Sequence, residues 1–189
     1  MTDKTKEGLR LEEELSEEKV VFKGRVLNFH SDTVRLPNGK TSTREYMEHP
    51  GAVALLPVLP DGRIIFVRQY RFPVKEITLE IPAGKMLSKS DDPVFRARAE
   101  LEEETGYTTK RLNHLMDFWP SSSFSDEKLR IFSAEELVPG RSHPDEDEFI
   151  NTEILRFEEA WKIFCDGKIK DAKTIIALQA WKIHLMEKK

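Results

Sequence analysis

The chain has 189 residues, 39% hydrophobic and 34% charged, with a formal net charge of −4 and a pI near 5.8. That length suits one domain with a small appendage and a substantial core, while the acidic balance argues against a nucleic-acid partner, whose binding surfaces are normally basic. No apolar run approaches the roughly 20 residues that span a bilayer, the first seven residues lack an apolar signal-peptide core, and one cysteine cannot make an internal disulfide, so a cytoplasmic protein without a membrane partner is expected.

Residues 1 to about 18 are charge-rich and read as loose or partly helical. Strand patterns follow at Val20-Val21-Phe22, Val26-Leu27-Asn28-Phe29 and Thr33-Val34-Arg35-Leu36; Pro37-Asn38-Gly39-Lys40 then marks a hairpin turn into a strand over 41–47. Residues 52–59 are a near-continuous apolar run fit for a buried strand. Asp61-Gly62 turns the chain into a strand over 63–71, and 77–81 adds a short one. Asp92 as N-cap and Pro93 at the first helical position open a helix to Thr105, which Gly106 closes. Further strands are predicted at 112–119, 129–134 and 152–156, and helices near 157–165 and 172–187, separated by Asp166-Gly167. Strands on both sides of one helix, with helices at the end, indicate an α+β fold. Cys165 reads as a buried helix position, and Trp119 and Phe124 as core residues with base stacking as the alternative.

The helix over 93–105 ends in a carboxylate cluster. At roughly 100° per residue, Glu100, Glu103 and Glu104 share one face and Glu102 points away. The carbonyl end of a helix disfavours anions, and like charges at this spacing repel, each by a few tenths of a kcal/mol. A bound divalent cation would remove that penalty; a solvated acidic face is the alternative. The five histidines show no metal spacing, and Ser121-Ser122-Ser123 lacks the glycine-flanked turn of a serine nucleophile.

Glu80-Ile81-Pro82-Ala83-Gly84-Lys85, Asp91-Asp92-Pro93 and Glu100-Leu101-Glu102-Glu103-Glu104-Thr105-Gly106-Tyr107 together closely resemble the Nudix box. That family hydrolyses nucleoside diphosphates linked to another group. The match departs in three places: one extra residue lies between Gly84 and Asp91, Asp91 replaces the first Glu, and Ala99 replaces an Arg that normally orients a glutamate by an ion pair. Arg96 and Arg98 are the available replacements, and a one-residue shift turns a helical side chain by about 100°, which makes Arg98 a poor one. The resemblance implies an α/β/α sandwich around a mixed sheet, with the box as a loop–helix–loop. It also implies that residues 1–48 carry antiparallel strands packing against a partner subunit, that residues 49–189 form the catalytic domain, and that the active site of the homodimer uses both chains.

Between residues 20 and 185 the chain looks most like the ADP-ribose pyrophosphatases and nucleotide-sugar hydrolases. Arg44-Glu45-Tyr46, His49-Pro50-Gly51-Ala52-Val53, Arg68-Gln69-Tyr70-Arg71-Phe72-Pro73, Phe124-Ser125-Asp126-Glu127 and Asp145-Glu146-Asp147-Glu148-Phe149-Ile150 carry that likeness by order and spacing. It implies metal ligation by Glu100, Glu103, Glu104 and the Ala83 carbonyl, with Mg²⁺ favoured and Mn²⁺ the alternative. Glu148, directly before an apolar strand start, is the expected general base and Glu146 the next choice; Glu103 also counts as catalytic. Substrate contacts are expected from Arg71, Arg44, Glu80 and Glu127. Arg71 follows a strand and precedes a proline turn, placed to grip a diphosphate with two donors, or else to pair with Glu76. Glu80 meets a cation or holds the turn. The implied reaction converts ADP-ribose to AMP and ribose 5-phosphate. Ser122-Ser123 stands where many such enzymes have Pro-Gly, which admits ADP- or UDP-glucose as substrates. A catalytically weak ligand-sensing module is the remaining alternative.

Overall fold

The computed structural model describes residues 11–143 and 148–187, which fall into two compact units: Met1–His49 with Ser121–Asp126, and Pro50–Pro120 with Glu127–Lys189. The first unit holds β1 (Glu14–Glu17), β2 (Val20–Lys23), β3 (Asn28–Arg35) and β4 (Thr41–Glu48). β4 pairs antiparallel along the whole of β3, from Glu48 opposite Asn28 to Thr41 opposite Arg35, and β2 and β1 pair in succession with the two ends of β3. Gly39, at φ 82°, makes the predicted hairpin turn. Residues 121–126 complete the unit: Met47 N–H donates to the Phe124 carbonyl at 2.8 Å, and His49 N–H to the Asp126 carboxylate at 2.7 Å. β1 corrects the expectation of a loose or helical start. Its strand form is imposed by pairing with Thr33–Arg35, a distant partner that local pattern does not reveal.

The second unit runs β5 (Ala52–Pro57), β6 (Arg63–Arg71), β7 (Glu76–Glu80), β8 (Ala83–Lys85), α1 (Pro93–Thr105), β9 (Tyr107–Phe118), β10 (Leu129–Pro139), β11 (Ile150–Arg156), α2 (Phe157–Cys165) and α3 (Ala172–Glu187). A mixed sheet has the order β8-β5-β10-β9, with β5 and β10 parallel, and an antiparallel sheet has the order β11-β6-β7. All six residues of β5 are buried, and their alternation explains the unbroken apolar run. Ala52, Ala54 and Leu56 join a core that includes Ala160 of α2 and Ala177, Leu178 and Trp181 of α3. Val53 and Leu55 join a second core with Ala97 and Leu101 of α1. Helices therefore cover both faces of the strand layer.

β8, read from sequence as a bare glycine turn, pairs with Ala52–Ala54 of β5. That pairing fixes the first residues of the box against the sheet. Three apolar readings are corrected: Cys165 is exposed, and Trp119 and Phe124 are 64% and 56% exposed. Among the described residues no helix is long and apolar enough to cross a membrane.

Candidate active site

α1 buries Ala97, Glu100, Leu101, Glu104 and Thr105, one face at helical spacing, so two carboxylates sit inside an otherwise apolar stripe. Glu100 is 3% exposed and Glu104 4%, whereas Glu103 lies at the rim, its side chain 29% exposed. β8 brings the backbone onto this face. A Cβ at Gly84 would overlap the Glu100 carboxylate, so only glycine admits that side chain here. The neighbouring Ala83 N–H donates to Glu104 Oε2 at 3.2 Å.

Burial governs the charge of both groups. It pushes the Glu100 carboxyl up to about 7, with Arg96 pulling the other way and Glu103 adding repulsion. Glu104 is pushed up to about 8 by burial and then by Glu100, against the hydrogen bond from Ala83. Glu148 also raises both through its charge, which places this loop carboxylate within electrostatic reach of the pair. Glu146 lies outside the described residues.

Of the two arginines near position 99, Arg96 is the one that reaches the glutamates. It forms an i,i+4 ion pair with Glu100 and reaches Glu103 at 3.4 Å. Arg98 instead donates to the Thr109 carbonyl, as the 100° step between adjacent side chains requires.

The carboxylates fit a hard divalent cation by donor type, and their upward shifts are those of buried anions short of positive charge. Arg96 supplies part of that charge, with its own Nε buried and unpartnered. As they stand, no three His, Cys, Asp or Glu side chains among the described residues converge to ligate an ion. Glu100 and Glu103 would have to turn from Arg96 toward Glu104 to do so. Glu100, Glu103 and Glu104 are the residues that would hold the ion.

A cleft of about 590 Å³ has a lining that includes Arg71, Glu80, Phe118, Glu127, Lys170 and Lys173, and Glu104 of α1 lies within electrostatic reach of Arg71 and Lys173. Arg71, from the end of β6, grips Glu80 with Nε at 2.8 Å and Nη2 at 2.6 Å. The alternative partner, Glu76, pairs with Lys170 at 2.8 Å instead. Glu80 is 1% exposed and also takes Lys173 Nζ and Thr78 Oγ1. Burial alone would raise its carboxyl, but Arg71 and Lys173 outweigh that and hold it down at about 2. The cations that meet Glu80 here are Arg71 and Lys173 of its own chain. Glu127 reaches the cleft wall. Arg44 belongs to the first unit, where it pairs with Glu13 through both Nε and Nη2.

Sequence reasoning missed Lys173 and its neighbours. Asp171 precedes α3 and accepts from Thr174 N–H at 3.0 Å, the geometry of an N-cap. A lysine in the first turn of a helix opposes the dipole, and that anomaly was the available signal for a buried anionic partner.

The chain is 44% identical over 171 residues to an ADP-ribose pyrophosphatase of Bacillus subtilis (strain 168), covering 89% of this chain and 92% of that one. It is 41% identical over 174 residues to a methanol dehydrogenase activator of Bacillus methanolicus, covering 91% and 94%. The crystal structure of an ADP compounds hydrolase, 22% identical, shares the fold with a TM-score of 0.82 over 96% of this chain and 97% of that one. The NUDIX domain family matches residues 47–178, most of the chain and every element from β5 to the start of α3, and the protein belongs to that family.

Proposed function

We propose that the protein hydrolyses the diphosphate bond of a nucleoside diphosphate sugar, with ADP-ribose first among substrates and AMP and ribose 5-phosphate as products. The observation that carries this reading is the buried Glu100–Glu104 pair, with Glu104 in electrostatic reach of Arg71, a half-exposed cleft cation that already binds a carboxylate in two-donor geometry. The same fork matches two oxygens of a diphosphate. The high identity to an ADP-ribose pyrophosphatase over nearly the full chain supports the substrate class.

A divalent cation, Mg²⁺ by preference, would neutralise the diphosphate and lower the pKa of the attacking water. The chain's own residues do the rest. Glu100, Glu103 and Glu104 fix where that positive charge sits. Arg71 orients the diphosphate and meets charge developing on its non-bridging oxygens. A Glu148 carboxylate oxygen accepts the water's proton as the water oxygen bonds to phosphorus and the bridging P–O bond breaks. Glu146 is the alternative acceptor, and Glu127 contacts the sugar end. The enzyme works in the cytoplasm as a homodimer, with the first unit's strands covered by a second copy.

Assays of ADP-ribose, ADP-glucose, UDP-glucose and GDP-mannose with Mg²⁺ or Mn²⁺ between pH 7 and 9 test the proposal. Glu148→Gln is expected to lower kcat by ~10²–10⁴ with KM little changed, the usual worth of a general base. Glu104→Gln is expected to cost more, because positioning and charge stabilisation go together. If no substrate yields a phosphate monoester, the hydrolase reading is wrong.

A further inference from the structure

Glu80 holds two cations of unequal freedom. Arg71 reaches it from the cleft and is 40% exposed; Lys173 reaches it from α3 and is 8% exposed. Lys173 Nζ also meets Asp171 Oδ1 at 2.9 Å, so Arg71, Lys173, Glu80 and Asp171 balance two charges of each sign. Thr174 ties the same corner down: its Oγ1 accepts from Ile81 N–H at 2.9 Å and donates to Asp171 Oδ2 at 2.6 Å. Of the two cations on Glu80, an anion entering the cleft can recruit only Arg71, because Lys173 is enclosed.

Recruitment has a cost that Lys173 removes. An arginine leaving a buried carboxylate strands an uncompensated charge, which is far more costly than losing an exposed ion pair. With Lys173 and Thr78 still in place, Glu80 keeps a full positive partner and a hydrogen bond. We propose that Lys173 is a positioning residue that holds Glu80 seated and ionised while Arg71 passes its guanidinium to the substrate diphosphate. This rests on the reading of Arg71 as the diphosphate clamp. Lys173 acts through Glu80 and Arg71 and does not touch the substrate.

Calorimetric titration with ADP in EDTA tests this without turnover. Arg71→Ala and Lys173→Met are each expected to weaken ADP binding by about tenfold or more. The Arg71→Ala/Lys173→Met double variant should bind no more weakly than Arg71→Ala alone, and Lys173→Arg should bind like the parent protein. Removing the buried anion should remove the need for its cation, so Glu80→Gln and Glu80→Gln/Lys173→Met should bind ADP equally. That last comparison carries the test if Lys173→Met alone does not fold. Weakened binding in Arg71→Ala with unchanged binding in Lys173→Met would overturn the role of Lys173 and leave the clamp standing. A double variant at Glu80 and Lys173 much weaker than Glu80→Gln would also overturn it, by giving Lys173 a direct contact. Unchanged binding in Arg71→Ala would remove the clamp and this inference with it.

Discussion

At the scale of single residues, Glu104 sets a conflict between stability and activity. Its carboxyl stands at about 8 in the folded chain against 4.5 in the unfolded one, and Glu100 at about 7 against the same reference. The folded state therefore binds more protons than the unfolded state between those values. Without metal, stability is greatest below about pH 4.5 as far as these two groups go, falls as pH rises through 7 and 8, and levels off above. Glu104→Gln removes one ionisation from this balance. Urea unfolding in EDTA is expected to show the variant more stable than the parent at pH 9, by on the order of a few kcal/mol, with little gain at pH 5. A variant less stable at pH 9 would mean that burial does not govern this carboxyl. The cluster itself was legible from spacing, since Glu100, Glu103 and Glu104 lie three and four residues apart. That Glu103 stays at the rim while the others are buried was not, because it depends on where β8 crosses the helix.

At the scale of elements, α1 has no acidic residue in its first turn and no basic residue in its last, so its ends depend on their caps. Asp92 accepts from Val94 N–H at 2.9 Å, and Gly106, in the left-handed region at φ 73°, donates to the Glu102 carbonyl at 2.9 Å. Asp92→Ala is expected to cost about 1 kcal/mol in a thermal or denaturant melt while leaving kcat unchanged. A large fall in kcat would show that the cap also tunes the glutamates. Beyond the cap, Ser142 Oγ and His143 N–H both donate to the Glu103 carbonyl, at 2.9 and 3.1 Å. Its caps made α1 readable from sequence, and α2 and α3 were expected near where they lie. The start of β9 at Tyr107 rather than 112 was hidden from the pattern because Thr108, Thr109, Lys110 and Arg111 carry no apolar alternation. Pairing with Glu135–Pro139 makes them a strand.

At the scale of the whole molecule, every residue of β2 is exposed, and Val21, Phe22 and Phe29 are 55%, 60% and 45% exposed. Monomeric proteins rarely leave contiguous apolar surface of this kind uncovered. In the proposed homodimer a second copy covers it. Sedimentation is expected to show a dimer at micromolar concentration, and Phe22→Asp to shift it toward monomer with the fold of each chain retained. A parent protein that sediments only as monomer while fully active would end the dimer proposal. β2, β3 and β4 of this first unit were legible from alternation and the Asn38-Gly39 turn, whereas β1 was not. Nothing in residues 121–126 announces that they complete it, because what ties them there is backbone hydrogen bonding with Met47 and one bond from His49 N–H to the Asp126 carboxylate.

That discontinuity has a consequence for biosynthesis. The ribosome delivers β1 to β4 first, but the stretch that pairs with Met47 is made only after the chain has passed through α1 and β9. The sheet of β1 to β4 therefore emerges with an open edge beside Met47 until residues 121–126 have been translated. Completion of the sheet waits on residue 126, so the edge beside Met47 is sealed only after α1 and β9 have been made.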